Sequence, residues 1–532
     1  MSTAAGTPRA SRLPTRGIAG RDGRAALGGL VAAAAALGFS ELLAGLLPGA
    51  SSLVAAVGQV TINLQPPGAK DVVVALFGTH DKLALELFIV AVGLLIGAGL
   101  GIVATRRYEL AAAGFIAFGV IGFAASLGDP LANPSIAAAA AAVSVGVGLW
   151  VLGWLLARLR LAAAPDSGAA DTVAQMPDWS RRSFLIRAGG VGVGAVAAGF
   201  VGRGLIERQR TPPVGSGAIV PPASVTVPAL VDGMDLSTSI EGLTPIVMPN
   251  DRFYRIDTAL LTPSVDTSKW SLRIHGLVDR ETTLSWDQLI QLPMFEQYVT
   301  IACVSNEVGG RLVGNAKWTG VRLREVLEIA GVQASATQLV GRSVDGWTAG
   351  MPTAWIMDPA REPMIAVMMN DEPLPPIHGY PARLIVPGIY GYVSATKWLS
   401  ELELTTLEAF NGYWVPLGWA KEAPVLTQSR IDTPRGTTSS GQVAIAGIAW
   451  APDRGVSRVE VAIDGLWRDA RLSTPISDST WVQWVTDWAA DPGRHVISVR
   501  ATDGNGQVQT EQSSPPAPDG ARGWHTISVQ VN

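Results

Sequence analysis

The sequence predicts a multidomain protein with three successive parts: N-terminal transmembrane helices, an α+β domain and a C-terminal β-sandwich. Three observations carry this reading. Ala, Gly, Leu and Val dominate the first 160 residues and run in stretches long enough to cross a bilayer. From about residue 246, short alternating runs mix with short runs of helical period. From about 425 only short alternating strands remain, cut by Gly, Pro and Asp turns. At 532 residues the chain is also too long for one core, since single cores rarely grow past ~250 to 300 residues.

Residues 1–24 form a basic tail, and the apolar stretches at about 25–47, 83–105, 109–128 and 136–157 make up a transmembrane region over 25–165. A further stretch, 184–206, lies in a signal-like segment over 178–206. Each approaches the ~20 residues a helix needs where no water can pair its backbone. Segment 52–78 is interrupted by Asn63, Gln65, Pro66, Pro67, Lys70 and Asp71, and is read as an extracytoplasmic, re-entrant excursion.

Charge supports that count. Arg9, Arg12, Arg16, Arg21 and Arg24 precede the first span, Arg106 and Arg107 separate the second from the third, and Arg158, Arg160, Arg181 and Arg182 lie before the last. Five spans put all these clusters on one side, as the positive-inside rule requires, whereas a sixth at 52–78 would place Arg106 and Arg107 opposite the tail. The expectation is a multi-pass protein of the cell (plasma) membrane with everything after about 207 outside the cytoplasm. Ser180-Arg181-Arg182-Ser183-Phe184-Leu185 resembles a twin-arginine export signal, and the helix it opens is rich in Gly and Ala. An arginine pair before a helix also serves as an ordinary cytoplasmic anchor.

Residues 207–245 are rich in Pro, Gly and Ser and read as a linker. In the α+β domain, 246–412, WSLRIHGLV and ARLIVPGIYG read as strands, and SWDQLIQL and VRLREVLEIAG as helices, the latter stopped by Gly331. In the sandwich, 425–532, Val459, Val461 and Ile463 alternate with Arg458, Glu460 and Asp464. A formal net charge of -4 gives no nucleic-acid footprint, and neither a GxGxxG after a strand nor a P-loop is present.

Cys303 is the chain's one cysteine, so it has no disulfide partner within the chain. A lone thiol is more often a small core hydrophobe than a site of chemistry. Its context shifts the balance: YVTIACVSNEVGGRLVGNAKWTGV surrounds it, PNDRFYRIDTAL lies upstream, and HGYPARLIVPGIYG and SATKW lie downstream. In this order the blocks resemble the sulfite oxidase family of molybdenum enzymes, over the chain from about Asn250 onward.

The resemblance implies a sulfite-oxidase-type molybdopterin-binding domain followed by an immunoglobulin-like dimerisation domain, with molybdenum-molybdopterin (the Mo cofactor) as cofactor. It makes Cys303 the protein ligand of the metal, a role a soft thiolate suits. His378 matches the pterin-contacting histidine, and Asn250, Phe253, Tyr254 and Arg255 match the first cofactor-binding block. Arg383 and Lys397 are the expected phosphate partners, with hydroxyls from Ser394 and Thr396. Tyr413 falls where the family has a tyrosine beside the metal, so Cys303, Tyr413 and Arg255 are the expected catalytic set. Trp318 is expected to wall the pocket and Arg454 to reach in from the sandwich.

One position departs from the family. Where sulfite oxidases carry an oxyanion-binding arginine five residues after the metal cysteine, this chain has Val308. A charge-assisted hydrogen bond is typically worth ~1.5 to 3 kcal/mol, so sulfite is expected to bind weakly. The expected activity is two-electron oxygen-atom transfer outside the cytoplasm; reduction of sulfoxides on the same fold and a non-catalytic surface protein are the alternatives. Expected partners are the membrane, a small-molecule substrate, an external electron carrier (a haem protein or a quinone) and a second copy through the sandwich, with no nucleic acid.

Overall fold

Helices α1 (Thr15–Leu46), α2 (Leu53–Leu64), α3 (Asp81–Ala104), α4 (Tyr108–Ser126), α5 (Pro134–Leu161) and α6 (Asp178–Arg210) build the first part of the chain. The computed structural model describes residues 15–66, 73, 76–77, 81–129, 131–161, 178–210 and 220–532. It divides into two compact units, Met1–Gln209 and Arg210–Asn532. Arg9, Arg12, Pro67, Lys70, Asp71, the stretch 162–177 and residues 211–219 of the expected linker lie outside the described residues, as do the side chains of Arg16, Arg21, Arg158, Arg160 and Arg181.

Among the described residues, five segments are long and apolar enough to cross a membrane: Asp22–Leu46, Asp81–Ala104, Tyr108–Ser126, Pro134–Ala157 and Arg182–Arg208. Leu87, Phe88, Leu95, Val120 and Phe200 on them are exposed, which suits an apolar surrounding better than water. Helix α2 has 12 residues and so spans about 18 Å, short of the ~30 Å hydrocarbon layer. Ser52 caps it, accepting from Ala55 N at 3.1 Å and donating to Glu41 Oε1 of α1 at 2.6 Å. Helices α1 and α3 meet through glycine, where a Cβ on Gly29 would strike the backbone of Gly97 and Gly101.

In the second unit, strands β1 (Ser271–Gly276), β2 (Thr282–Ser285), β3 (Met294–Ala302), β4 (Val313–Arg322), β5 (Gln338–Ser343), β6 (Thr348–Pro352), β7 (Met364–Met369), β8 (Glu372–Pro373), β9 (Arg383–Ile385) and β10 (Leu399–Thr405) form two sheets. One has the order β2-β1-β10-β5-β6; the other runs β3-β4-β7-β8, with β9 on β7. The two expected helices are present. Trp286–Ile290 starts from a capping box of Ser285 and Gln288, and Leu323–Ala330 ends at Gly331, whose φ of +74° a glycine adopts without strain.

Strands β11 (Gln428–Thr433), β12 (Thr437–Thr438), β13 (Gly441–Trp450), β14 (Val456–Ile463), β15 (Leu466–Asp469), β16 (Arg471–Leu472), β17 (Val482–Ala490), β18 (Gly493–Asp503) and β19 (His525–Val531) follow. They form sheets β11-β13-β17-β16 and β12-β19-β18-β14-β15. Ile445 and Trp484 of the first share an apolar core with Val461, Val499 and Val529 of the second.

The β-rich region is fused to the α+β region by its core. Ile448, Trp450 and Trp481 belong to the same buried cluster as Leu272, Val326 and Leu402. Thr300 of β3 donates its backbone N–H to Ser479 O (2.9 Å) and accepts at Oγ1 from Trp481 N (2.8 Å).

His525 joins the two C-terminal sheets, accepting at Nδ1 from Ile431 N at 2.9 Å. Burial, reinforced by Arg430 and Arg435, lowers its pKa to about 4. An unfolded histidine titrates near 6.5, so on acidification the unfolded chain takes up the proton first. Stability from this group is complete above about pH 6.5 and is lost as the pH falls toward 4. The thermal midpoint of the detergent-solubilised protein is therefore expected to drop over that window, and His525→Asn, which keeps an acceptor, should flatten the drop. An equal slope in wild type and variant would place the pH dependence elsewhere.

Candidate active site

Strand β3 ends at Ala302, and Cys303 is the first residue of the loop that returns as β4. The hairpin continues one step beyond the strands, since Cys303 N donates to Leu312 O at 2.8 Å. Asn306 N then donates to Cys303 O at 3.0 Å, while Asn306 Oδ1 accepts from Leu312 N at 2.8 Å. These bonds fix the cysteine backbone. Its side chain is buried at 8% exposure, on the wall of a cleft with about 650 Å³ of free space.

Tyr254, Arg383 and Lys397 line the same cleft, together with Asp257, Asp345, Trp398 and Trp414. Four of the residues singled out in the sequence thus share one cavity, although they lie far apart in the chain. Lys397 Nζ donates to Asp257 Oδ2 (3.0 Å) and Ile377 O (3.0 Å), and Arg255 Nε reaches the same carboxylate oxygen at 2.9 Å. Burial lowers the Lys397 pKa to about 8, with Asp257 opposing the shift. Arg383 is buried against the face of Trp318, its Cζ 5.5 Å from the ring centroid. Its Nη1 donates to His378 O at 3.1 Å, and its Nε has no protein partner.

His378 stands behind this wall, fully buried, with its ring edge-on to Phe253 at 5.6 Å. Burial lowers its pKa to about 4, so the ring is neutral at physiological pH. Its Nε2 lies 2.8 Å from Asn250 O, and because a carbonyl only accepts, Nε2 carries the proton. Nδ1 is left as a buried acceptor without a protein partner. The Asn250 side chain is engaged with Met369 O, Glu372 and Asn370, so Asn250 meets His378 through its backbone. Thr396 Oγ1 is buried and unpartnered, whereas Ser394 Oγ donates to Tyr390 O at 3.0 Å.

Other expected contributors sit elsewhere. Trp318 lies beneath Arg383 and not on the cleft wall, its Nε1 bonded to Val299 O. Arg454 does not reach in; Asp503 holds its Nε at 3.0 Å, and Val425 O accepts from its Nη2 at 2.8 Å. The pair formed within the β-rich region wins because Asp503 is fully buried and requires a cation. Tyr413 is half-buried beside Trp414, at 5.1 Å edge to face, and it is Trp414 that faces the cleft. Val308 is half-buried in the cysteine loop and is not a lining residue.

Asp257, Asp345 and Trp398 were not picked out from the sequence. Asp257 and Trp398 are contained in the quoted blocks, two residues after Arg255 and one after Lys397. Asp345 lies in an Asp-Gly turn, where its Oδ1 accepts from Trp347 N at 3.1 Å.

A family model described as "Oxidoreductase molybdopterin binding domain" matches residues 259–414. The mitochondrial sulfite oxidase of Homo sapiens is 30% identical over 343 residues, covering 54% of this chain and 62% of that protein. The "Uncharacterized oxidoreductase YuiH" of Bacillus subtilis (strain 168) is 34% identical over 154 residues, 29% of this chain and 74% of that one. The chain belongs to the sulfite oxidase family of molybdopterin-dependent oxidoreductases. "Nitrate reductase [NADH] 1" of Oryza sativa subsp. japonica is a further relative, 28% identical over 316 residues, 47% of this chain and 34% of that one. The chain thus spans less than two thirds of the length of the human sulfite oxidase it matches.

The residues present fit the family's cofactor. A pterin edge offers donors and acceptors, and the cleft region holds an orphaned acceptor, His378 Nδ1, an orphaned donor, Arg383 Nε, and an orphaned hydroxyl, Thr396 Oγ1. Buried polar atoms of this kind are normally paired, so three together mark a place shaped for a polar ligand.

Asp257 keeps Lys397 protonated. Replacing it by Asn should lower the Lys397 pKa further from its value of about 8, so that less of the amine is charged at pH 8 than at pH 6. Asp257→Asn is expected to retain at least wild-type cofactor through gel filtration at pH 6 and less than wild type at pH 8. Equal retention at both pH values would show that Lys397 does not hold the anionic end.

Proposed function

We propose that this chain is a membrane-anchored molybdenum-cofactor oxidoreductase that carries out two-electron oxygen-atom transfer outside the cytoplasm. The observation that carries the reading is the convergence of the Cys303 side chain and the Arg383–Lys397 pair on one cleft, with unpaired polar atoms behind it. Cys303 supplies the thiolate ligand. His378, Thr396, Arg383 and Lys397 hold the pterin and its phosphate, with Phe253, Asn250 and Ser394 setting the wall behind them. When bound, the cofactor supplies two-electron redox chemistry coupled to oxygen-atom exchange.

The chain's own residues set the rest of the chemistry. Tyr254 is half-buried beside Cys303, and the loss of solvent raises its pKa, so the phenol keeps its proton and acts as a hydrogen-bond donor. Tyr413 likewise stays protonated, held up by burial and by Asp345. Arg255 acts through Asp257. The aromatic rings of Trp347, Trp398 and Trp414 exclude water from the cleft.

The charge of the cleft bears on the substrate. Two carboxylates, Asp257 and Asp345, and two cations, Arg383 and Lys397, face it, and no arginine stands at position 308. With those cations committed to the cofactor and no arginine at 308, a sulfite dianion lacks a charge-assisted partner, which favours an uncharged substrate and leaves room for the reverse reaction on a sulfoxide. Electrons leave to an external carrier, a haem protein or a quinone, and the β-rich region, on this reading immunoglobulin-like, is the surface for a second copy.

Purified full-length protein from a cofactor-competent host is expected to contain one molybdenum per chain. Cys303→Ser should lose turnover with an unchanged thermal unfolding profile, and the wild type should turn over an uncharged sulfur compound at lower KM than sulfite. Protein without molybdenum or pterin would refute the enzyme, and a micromolar KM for sulfite would refute the substrate assignment.

Five apolar helices, the one-sided arginine clusters and the Arg181-Arg182 pair support export of the catalytic half. Replacing both arginines by Lys keeps the charge and removes the guanidinium pair. A twin-arginine route predicts that the variant strands the C-terminal half in the cytoplasm, as judged by protease accessibility in spheroplasts. Normal export would leave the pair a simple anchor.

A further inference from the structure

The loop that carries Cys303 is gripped by a residue that is not part of the cleft lining. Arg430 of β11 is 5% exposed, and its guanidinium ties its own strand to two other pieces of chain. Nε donates to Asp432 Oδ1 at 2.7 Å, Nη2 to Thr244 Oγ1 at 2.8 Å, and Nη1 to the carbonyl of Gly310 at 2.8 Å. Asp432, itself 4% exposed, also accepts from Thr244 N at 3.1 Å. The neighbouring Gly309 has a φ of +77°, and a Cβ there would run into the His525 ring. From this anchor a short run of bonds leads to the cysteine. Gly310 N donates to Glu307 O at 2.8 Å, and Asn306 ties Leu312 N to the backbone of Cys303.

We propose that Arg430 is a positioning residue for the Cys303 thiolate, so that the C-terminal sheets, without touching the cofactor, set the geometry of its protein ligand. The proposal rests on the reading of Cys303 as the metal ligand. The chemistry favours arginine. A buried guanidinium donates in three directions at once, whereas the ammonium of a lysine is a single point that cannot reach Asp432, Thr244 and Gly310 together. A carbonyl bonded to a buried cation is also held more firmly than one bonded to water. Arg430 is not required to hold the β-rich region against the α+β region, since Trp481, Thr300 and the shared core do that independently.

Full-length protein in detergent is compared as wild type, Arg430→Lys, Gly309→Ala, Gly309→Ala with His525→Ala, and Arg500→Lys. The last alters an ion pair with Glu460 (2.9 Å) that does not touch the loop. At equal molybdenum and pterin content, Arg430→Lys and Gly309→Ala are expected to shift the molybdenum(V) electron paramagnetic resonance signal. They should also lower kcat by roughly tenfold to a hundredfold, the scale of a displaced reacting group, with KM little changed. Removing the His525 ring should return the Gly309→Ala signal only part of the way to wild type, since an alanine at a φ of +77° stays strained, and Arg500→Lys should match wild type throughout.

Should a variant lose its cofactor, maleimide labelling decides, because Cys303 is the one thiol in the chain. At a thermal midpoint close to wild type, a changed labelling rate in the cofactor-free protein supports the proposal and an unchanged rate overturns it. A loaded wild type whose signal Arg430→Lys and Gly309→Ala leave unaltered overturns this inference alone. Absence of molybdenum from the wild type overturns the metal-ligand reading with it.

Discussion

The pairing of β3 with β4 is the constraint on which the site depends. Its register runs unbroken from Met294 opposite Val321 to Ala302 opposite Val313, and the Cys303–Leu312 bond extends it by one step. Side chains alternate along a strand, so a slip of one residue would turn every inward group of β3 outward. The hairpin is held against such a slip on both faces. Phe295, Val299 and Ile301 are packed in one apolar cluster, and Thr300 on the other face bonds to Ser479, Trp481 and Asn315. Asn315 in turn donates to Ile246 O, which also accepts from Trp481 Nε1. This buried polar seam is fully paired, the condition under which such a network specifies one arrangement.

Charge burial is the second determinant. Arg383 and Lys397 are taken out of water on the cleft wall, where an unpaired cation is unfavourable and a bound anion correspondingly favourable. Lys397 is partly compensated by Asp257, while Arg383 leans on the Trp318 face and one carbonyl, with its Nε unsatisfied. The incomplete pairing of Arg383 is what a site prepared for an anionic, hydrogen-bonding cofactor requires. His378 follows the same logic from the neutral side, because burial strips its charge and the Asn250 carbonyl selects the tautomer that presents a bare acceptor.

Much of this architecture is legible in the sequence where a local pattern determines it. Apolar length gives the long helices, and turn-punctuated alternation gives β13, β14, β17, β18 and β19. ARLIVPGIYG is different: only Arg383–Ile385 forms a strand, because Pro387 has no N–H to offer a ladder and the chain turns at Gly388, whose φ is +87°. The site divides in the same way. Cys303, Arg383 and Lys397 are recognisable because their blocks have a recognisable order. Asp257 is not, since its role is a pairing with Lys397 across 140 positions and an aspartate in a loop reads as solvated. Arg454 misleads for the converse reason, its partner Asp503 lying 49 positions away within the β-rich region. Arg430 and Gly310, 120 positions apart, are equally silent in the sequence.

The glycines of the first unit also record the directions of its helices, independently of any charge rule. A Cβ on Gly38 would strike Ala195, and one on Gly45 would strike Gly202, so α1 and α6 advance together and are parallel. Against α3 the order reverses: Gly29 opposes Gly97 and Gly101, while Gly97 faces Ala33 and Gly101 faces Ala25. Helices α1 and α3 are therefore antiparallel. A full crossing between them would have returned the chain to the starting side and made α1 and α3 parallel. The short α2, capped by Ser52, instead leaves the chain on the side where α1 ends. The succession α1, α3, α4, α5, α6 then alternates and brings α6 back parallel to α1.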